Sequence, residues 1–137
     1  MNYIFQNIES AIKFLISTGF APAMNIKNAT KRSIIAKNAK LCTNIFSKSI
    51  GLMFSIKTKS LIFSFKKEKI IPLHMLFVFY PIDVLFLNKN KIVVEVKEDL
   101  RPFSFYTPKN KAKYIIELSK GTIKRSKTKL RDKIIFR

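Results

Sequence analysis

Residues that most often carry chemistry are scarce in this chain. Cys42 is the only cysteine, so no disulfide closes within the chain and no multi-cysteine zinc or iron–sulfur site forms. His74 is the only histidine, and an ordinary zinc site wants three or four protein ligands, so no metal and no cofactor are expected. Three glycines and no tryptophan are present, and no glycine-rich phosphate loop, paired-carboxylate motif or nucleophile elbow can be traced. Acid is also short: eight Asp and Glu stand against 27 Lys and Arg. These absences exclude most familiar catalytic designs and favour a protein that is not an enzyme.

What is present suits one folded domain. The 137 residues are 47% hydrophobic, enough to bury a core. The net charge of +19 invites a nucleic-acid reading, and it is uneven, with eleven basic against two acidic residues in 109–137. The candidate contacts are Lys109, Lys111, Lys113, Lys120, Lys124, Arg125, Lys127 and Lys129. Yet only five of the 27 cations are arginine, the side chain whose planar fork suits base and phosphate recognition. Abundant Lys, Asn, Ile and Phe all have A/T-rich codons, so a low-G+C genome yields the same bias, and a solvated basic surface is the plainer reading.

Residues 2–18 place Ile4, Ile8, Ala11, Ile12 and Leu15 on one helical face, and Gly19 stands as its stop. Glu9 and Lys13 interrupt the apolar centre, so neither a secretory signal nor a transmembrane span is expected, and the domain is expected in the cytoplasm. This helix, with a linker to residue 30, is expected to cover its own domain or to contact a protein or membrane surface. After a loop over 20–31 the pattern turns β-like through residues 31–137. Two strand pieces are expected around Lys37-Asn38 in 33–44, helical turns over 44–51, and strands at 52–56 and 60–65. HMLFVFYPIDVLFLN (74–88) reads as a core strand that Pro81 ends or bends. A hairpin loop at Asn88-Lys89-Asn90 leads into KIVVEVKE, where Ile92, Val94 and Val96 share a face. An extended 101–108, a strand at 113–119, a turn at Gly121 and a last strand at 133–136 complete a mainly β, barrel-like domain of about eight strands.

Gly51-Leu52-Met53-Phe54, then Pro81-Ile82-Asp83, then Ala112-Lys113-Tyr114-Ile115-Ile116-Glu117-Leu118 with Gly121-Thr122, and finally Asp132, make an ordered set of motifs. In order and spacing this set resembles the bacterial and archaeal family catalogued as "domain of unknown function 192", over roughly residues 33–136. The run 74–87 followed by RPFSFYTP looks most like the archaeal branch. The resemblance implies a small β-rich fold and carries no activity. Two departures stand out. His74-Met75-Leu76-Phe77 replaces a Trp-Met-Lys-Asn cluster of many bacterial members, and Arg131 stands where a glycine is usual before the terminal aspartate.

Three polar residues remain as candidates for a pocket. Asp83, alone in its apolar run, is either a ligand-binding or basic carboxylate, or one that accepts backbone N–H bonds at a turn; the second is favoured. His74 reads as a satisfied core or strand-edge side chain, and Tyr106 as aromatic packing at a pocket mouth. Cys42 reads as a buried, inert thiol. The leading expectation is a non-catalytic barrel-like domain that binds a small ligand or a protein partner. A basic nucleic-acid-associated protein is the alternative, and an enzyme using Asp83 and His74 comes third.

Overall fold

A computed structural model describes residues 23–42, 60–76 and 78–137. The expected helix over 2–18, the helical turns at 44–51 and the strand at 52–56 lie outside the described residues. Among the described residues nine strands and one short helix are formed: β1 (Met24–Asn28), β2 (Ser33–Cys42), β3 (Leu61–Lys69), β4 (Leu73–His74), β5 (Ile82–Leu87), β6 (Val93–Leu100), β7 (Phe105–Tyr106), β8 (Ala112–Ser119), α1 (Thr122–Ser126) and β9 (Ile134–Phe136). Seven strands make one sheet in the order β6-β5-β8-β3-β2-β1-β9. Its pairs are antiparallel except β2 with β3. The Ile92–Lys133 bridge brings the two ends of this order together, so the sheet curls into a half-barrel.

The curl creates two apolar faces. Side chains from all seven strands and from Ile123 of α1 meet in one cluster around Ile26, Ile62, Leu85, Ile116 and Ile134, as the concave side of a curled sheet requires. The alternate residues Leu61, Phe63, Val84, Phe86 and Ile115 form a second cluster on the convex side. Leu73 and Tyr106 of the small β4–β7 ribbon pack over it. β5 is buried at all six positions because both its faces are covered, which is why its sequence is an unbroken apolar run.

Several local expectations need correction. Residues 24–28, expected as loop, form β1 and pair with both β2 and β9. The strand hides its period because one of its inward residues is a polar one, Asn28. Residues 33–42 form one strand, with Asn38 taking a left-handed φ of 57° instead of breaking it. Residues 74–88 are divided between β4 and β5. The lysine-rich stretch after Gly121 contains α1, which Gly121 starts at φ 88°. In β6, Phe86 faces Glu95 while Leu87 faces Val93, so Val94 is an extra residue that breaks the expected alternation.

Candidate functional site

Asp83, His74 and Tyr106 do not converge. Asp83 opens β5 on the concave side and is 1% exposed. Its carboxylate accepts N–H bonds from Asp99 at 3.1 Å and from Ile123 at 3.0 Å, tying β6 and α1 to β5. The left-handed turn at Asp99 (φ 52°) delivers the first of these donors. His74 alternates with the inward-packed Leu73, so it faces away from the convex cluster on the outer side of the ribbon. Its Nδ1 has no partner among the described residues, and burial holds its pKa below the ordinary histidine value.

Tyr106 belongs instead to a latch built on Glu95, a residue the expected β6 alternation had set on the solvent side. Glu95 accepts the Tyr106 hydroxyl at 2.6 Å, the Lys109 and Asn110 backbone N–H groups, and the Asn110 side-chain amide. Burial alone would raise its pKa, but these four bonds together hold it below the ordinary value. Burial and the same carboxylate push Tyr106 up to about 12. Glu117 is the reverse case. In the strand register it lies between Leu61 and Val84, on the convex face. Part of its surface is accessible, yet burial pushes its carboxyl up to about 8, with no hydrogen bond or charge among the described residues offsetting the shift.

The basic residues regroup. Lys109 and Lys111 precede β8, beside the Glu95 latch, whereas Lys120, Lys124, Arg125, Lys127 and Lys129 follow it. The eight residues of β8 separate the two sets by roughly 23 Å. The second set gains neighbours that sequence spacing could not reveal. Asn28 at the end of β1 donates to Thr128 at 3.1 Å and to Asp132 at 2.8 Å. Its own oxygen accepts the Lys31 N–H, and Ser33 donates to the Ser126 carbonyl. These buried bonds seat the β1–β2 turn, with Lys31 and Arg32, against the segment 124–133. Arg131 and Lys133 lie in the same strip, and all eight of these cations (Lys31, Arg32, Lys124, Arg125, Lys127, Lys129, Arg131, Lys133) are exposed. The one acid in the strip, Asp132, is 3% exposed and spent on Asn28 and the Lys129 N–H. Arg125 also donates to the Ile35 carbonyl at 2.7 Å, which orients its guanidinium.

The class is thus a curled, mainly β domain in which the β1–β2 turn and the segment 124–133 bring eight exposed cations together. The chain belongs to the family DUF192, described as "Uncharacterized ACR, COG1430", which matches residues 25–136. A UPF0127 protein of Pyrococcus furiosus is 38% identical over 109 residues, covering 78% of this chain and 93% of that protein. One from Pyrococcus horikoshii is 33% identical over 111 residues, covering 80% and 96%. Among solved structures, a Sinorhizobium meliloti protein described as a putative transcription regulator superposes with a TM-score of 0.73 at 19% identity, over 82% of this chain and 91% of that one. A Novosphingobium aromaticivorans protein of unknown function gives 0.69 at 16%, over 82% and 83%. These two likenesses concern the fold alone.

Proposed function

We propose that this protein is a non-catalytic binding domain whose basic strip holds a polyanion, in the first instance the phosphate backbone of nucleic acid. The observation that carries this reading is the strip itself. Eight exposed cations from two distant parts of the chain are brought together, and the single carboxylate among them is turned inward and consumed. A merely solvated surface would have no need of that segregation. Phosphate contacts of this kind give affinity without base reading, which fits a strip with five lysines and three arginines. The setting we propose is the cytoplasm. Among the described residues no helix is long and apolar enough to cross a membrane.

The test is fluorescence anisotropy with a labelled oligonucleotide at low salt. Reversing Lys127 and Lys129 to Glu should weaken binding by about tenfold or more. Reversing Lys66 and Lys67, exposed on β3 away from the strip, should have a much smaller effect. Equal losses from the two variants would leave only diffuse charge and end the proposal.

A further inference from the structure

We infer that the nucleic acid is single-stranded, and that Phe79, Phe103 and Phe105 form the platform on which its unpaired bases stack; this rests on the polyanion reading above. The three phenylalanines are 62%, 53% and 67% exposed, and all exposed aromatics among the described residues lie in this one region. Single exposed apolar residues are ordinary, but a paired Phe79 and Phe103 with exposed Phe105 two residues further along the chain are not. Phe79 and Phe103 meet edge to face at 5.5 Å, which leaves ring surface open to solvent.

The platform is held stiffly. The Phe103 N–H donates to the Met75 carbonyl and the Met75 N–H donates to the Ser104 carbonyl, both at 2.8 Å, so the loop is stitched to buried Met75. Phe103 also has a left-handed φ of 57°. Such a conformation is strained for a side-chain-bearing residue, and glycine or asparagine would adopt it more cheaply. The Phe103 ring packs edge to face on Phe79, yet the residue stays 53% exposed. Backbone geometry does not favour a phenylalanine at this position, and the exposed part of its ring is available as a π-face for a ligand.

The platform continues into the basic strip. Leu100, Ile82 and Ser119 form one rung across β6, β5 and β8. Beyond that rung the chain runs back to Phe79, on to Arg101 and Phe103, and on to Lys120 and α1 with Lys124. At this junction Asp99 is engaged by Lys120 at 3.4 Å, beside the exposed Glu98. Bases on the rings and phosphates on the cations would thus follow one curved path around the half-barrel. A flexible single strand can take that path. A flat bilayer would meet the rings or the far cations, and a duplex offers no base faces to stack.

The experiment compares a labelled oligo-dT strand, a duplex of equal length and anionic phosphatidylserine vesicles. The triple variant Phe79→Ala, Phe103→Ala, Phe105→Ala should lose about tenfold or more in single-strand affinity with duplex affinity nearly unchanged. The corresponding Phe→Leu variant, which keeps apolar bulk but no π-face, should lose nearly as much, and unchanged thermal unfolding of both variants excludes a folding defect. Equal single-strand and duplex binding, untouched by either variant, would overturn this inference and leave the polyanion reading standing. No binding to either nucleic acid would remove both. Loss confined to vesicle binding, or a Leu variant that behaves as wild type, would assign the rings to a lipid or protein surface.

Discussion

Asp83 and Glu117 are carboxylates on neighbouring strands with opposite energetics. Asp83 satisfies two backbone donors, and removing it leaves both without an acceptor in a site that is 1% exposed. Asp83→Ala should therefore cost about 2–4 kcal/mol in urea unfolding, and Asp83→Asn clearly less, because the amide keeps one acceptor oxygen of the same shape. An Asp83→Ala protein as stable as wild type would remove the structural role assigned here. Glu117 has no such compensation among the described residues. Its folded pKa of about 8 lies above its ordinary 4.5, so between those values the native state holds a proton that the unfolded chain releases. The wild-type carboxyl thus lowers stability progressively as pH rises from about 4.5 to 8, and costs nothing below that window. Each pKa unit corresponds to about 1.4 kcal/mol, and partial exposure of the residue discounts the full conversion. Glu117→Gln should accordingly stabilise the protein by about 1–3 kcal/mol at pH 8.5 and leave it nearly unchanged at pH 4.5. Subtracting the two proteins' unfolding free energies at each pH isolates this effect from His74, whose lowered pKa acts in the other direction on acidification.

At the scale of elements, the shortage of glycine leaves its mark on the turns. Gly121 takes φ 88°, and its missing side chain would meet nothing within 4 Å, so the position needs the conformation and not the space. Among the described residues seven other left-handed positions are filled by Arg32, Asn38, Lys91, Asp99, Phe103, Lys127 and Arg131. Three of these are cations of the strip. Arg131 takes φ 73°, a conformation that glycine adopts without strain. Arg131→Gly should relieve strain and hold or raise stability by up to about 1 kcal/mol, while weakening oligonucleotide binding; a clear loss of stability would show that the arginine side chain earns its place by packing. The same elements explain what could be read beforehand. Asp83 was legible as a lone acid two residues past Pro81, and the 88–90 hairpin from its asparagines, although its positive φ falls on Lys91. Glu95 was not, since it faces opposite Val96 onto the convex side, which Tyr106 and the β4–β7 ribbon cover from a distance in sequence. Nor was β1, whose inward Asn28 is polar because its partners Thr128 and Asp132 lie about a hundred residues on. Lys31 and Arg32 joined the candidate strip only through that contact.

For the whole molecule, folding sharpens the charge that composition supplies. Asp83, Glu95 and Asp132 are buried at 1%, 8% and 3% exposure, each occupied by internal donors, so part of the small acidic complement never reaches the surface. What distinguishes a built strip from this general excess is where the counterions are displaced. Binding of a single strand should fall with salt at a slope of about −0.7 per phosphate neutralised, so engagement of most of the strip gives a log–log slope of roughly −3 to −6. Replacing Lys127 and Lys129 by Gln should make that slope shallower by about 1 to 1.5. The same change at Lys109 and Lys111, exposed at the far end of β8, should leave it nearly unaltered. Both pairs remove two positive charges, so their effect on net charge is identical and only position differs. Affinities measured between about 50 and 200 mM salt separate the cases: unequal slopes place the contacts on the strip, whereas equal slopes mean that the nucleic acid samples the whole basic surface.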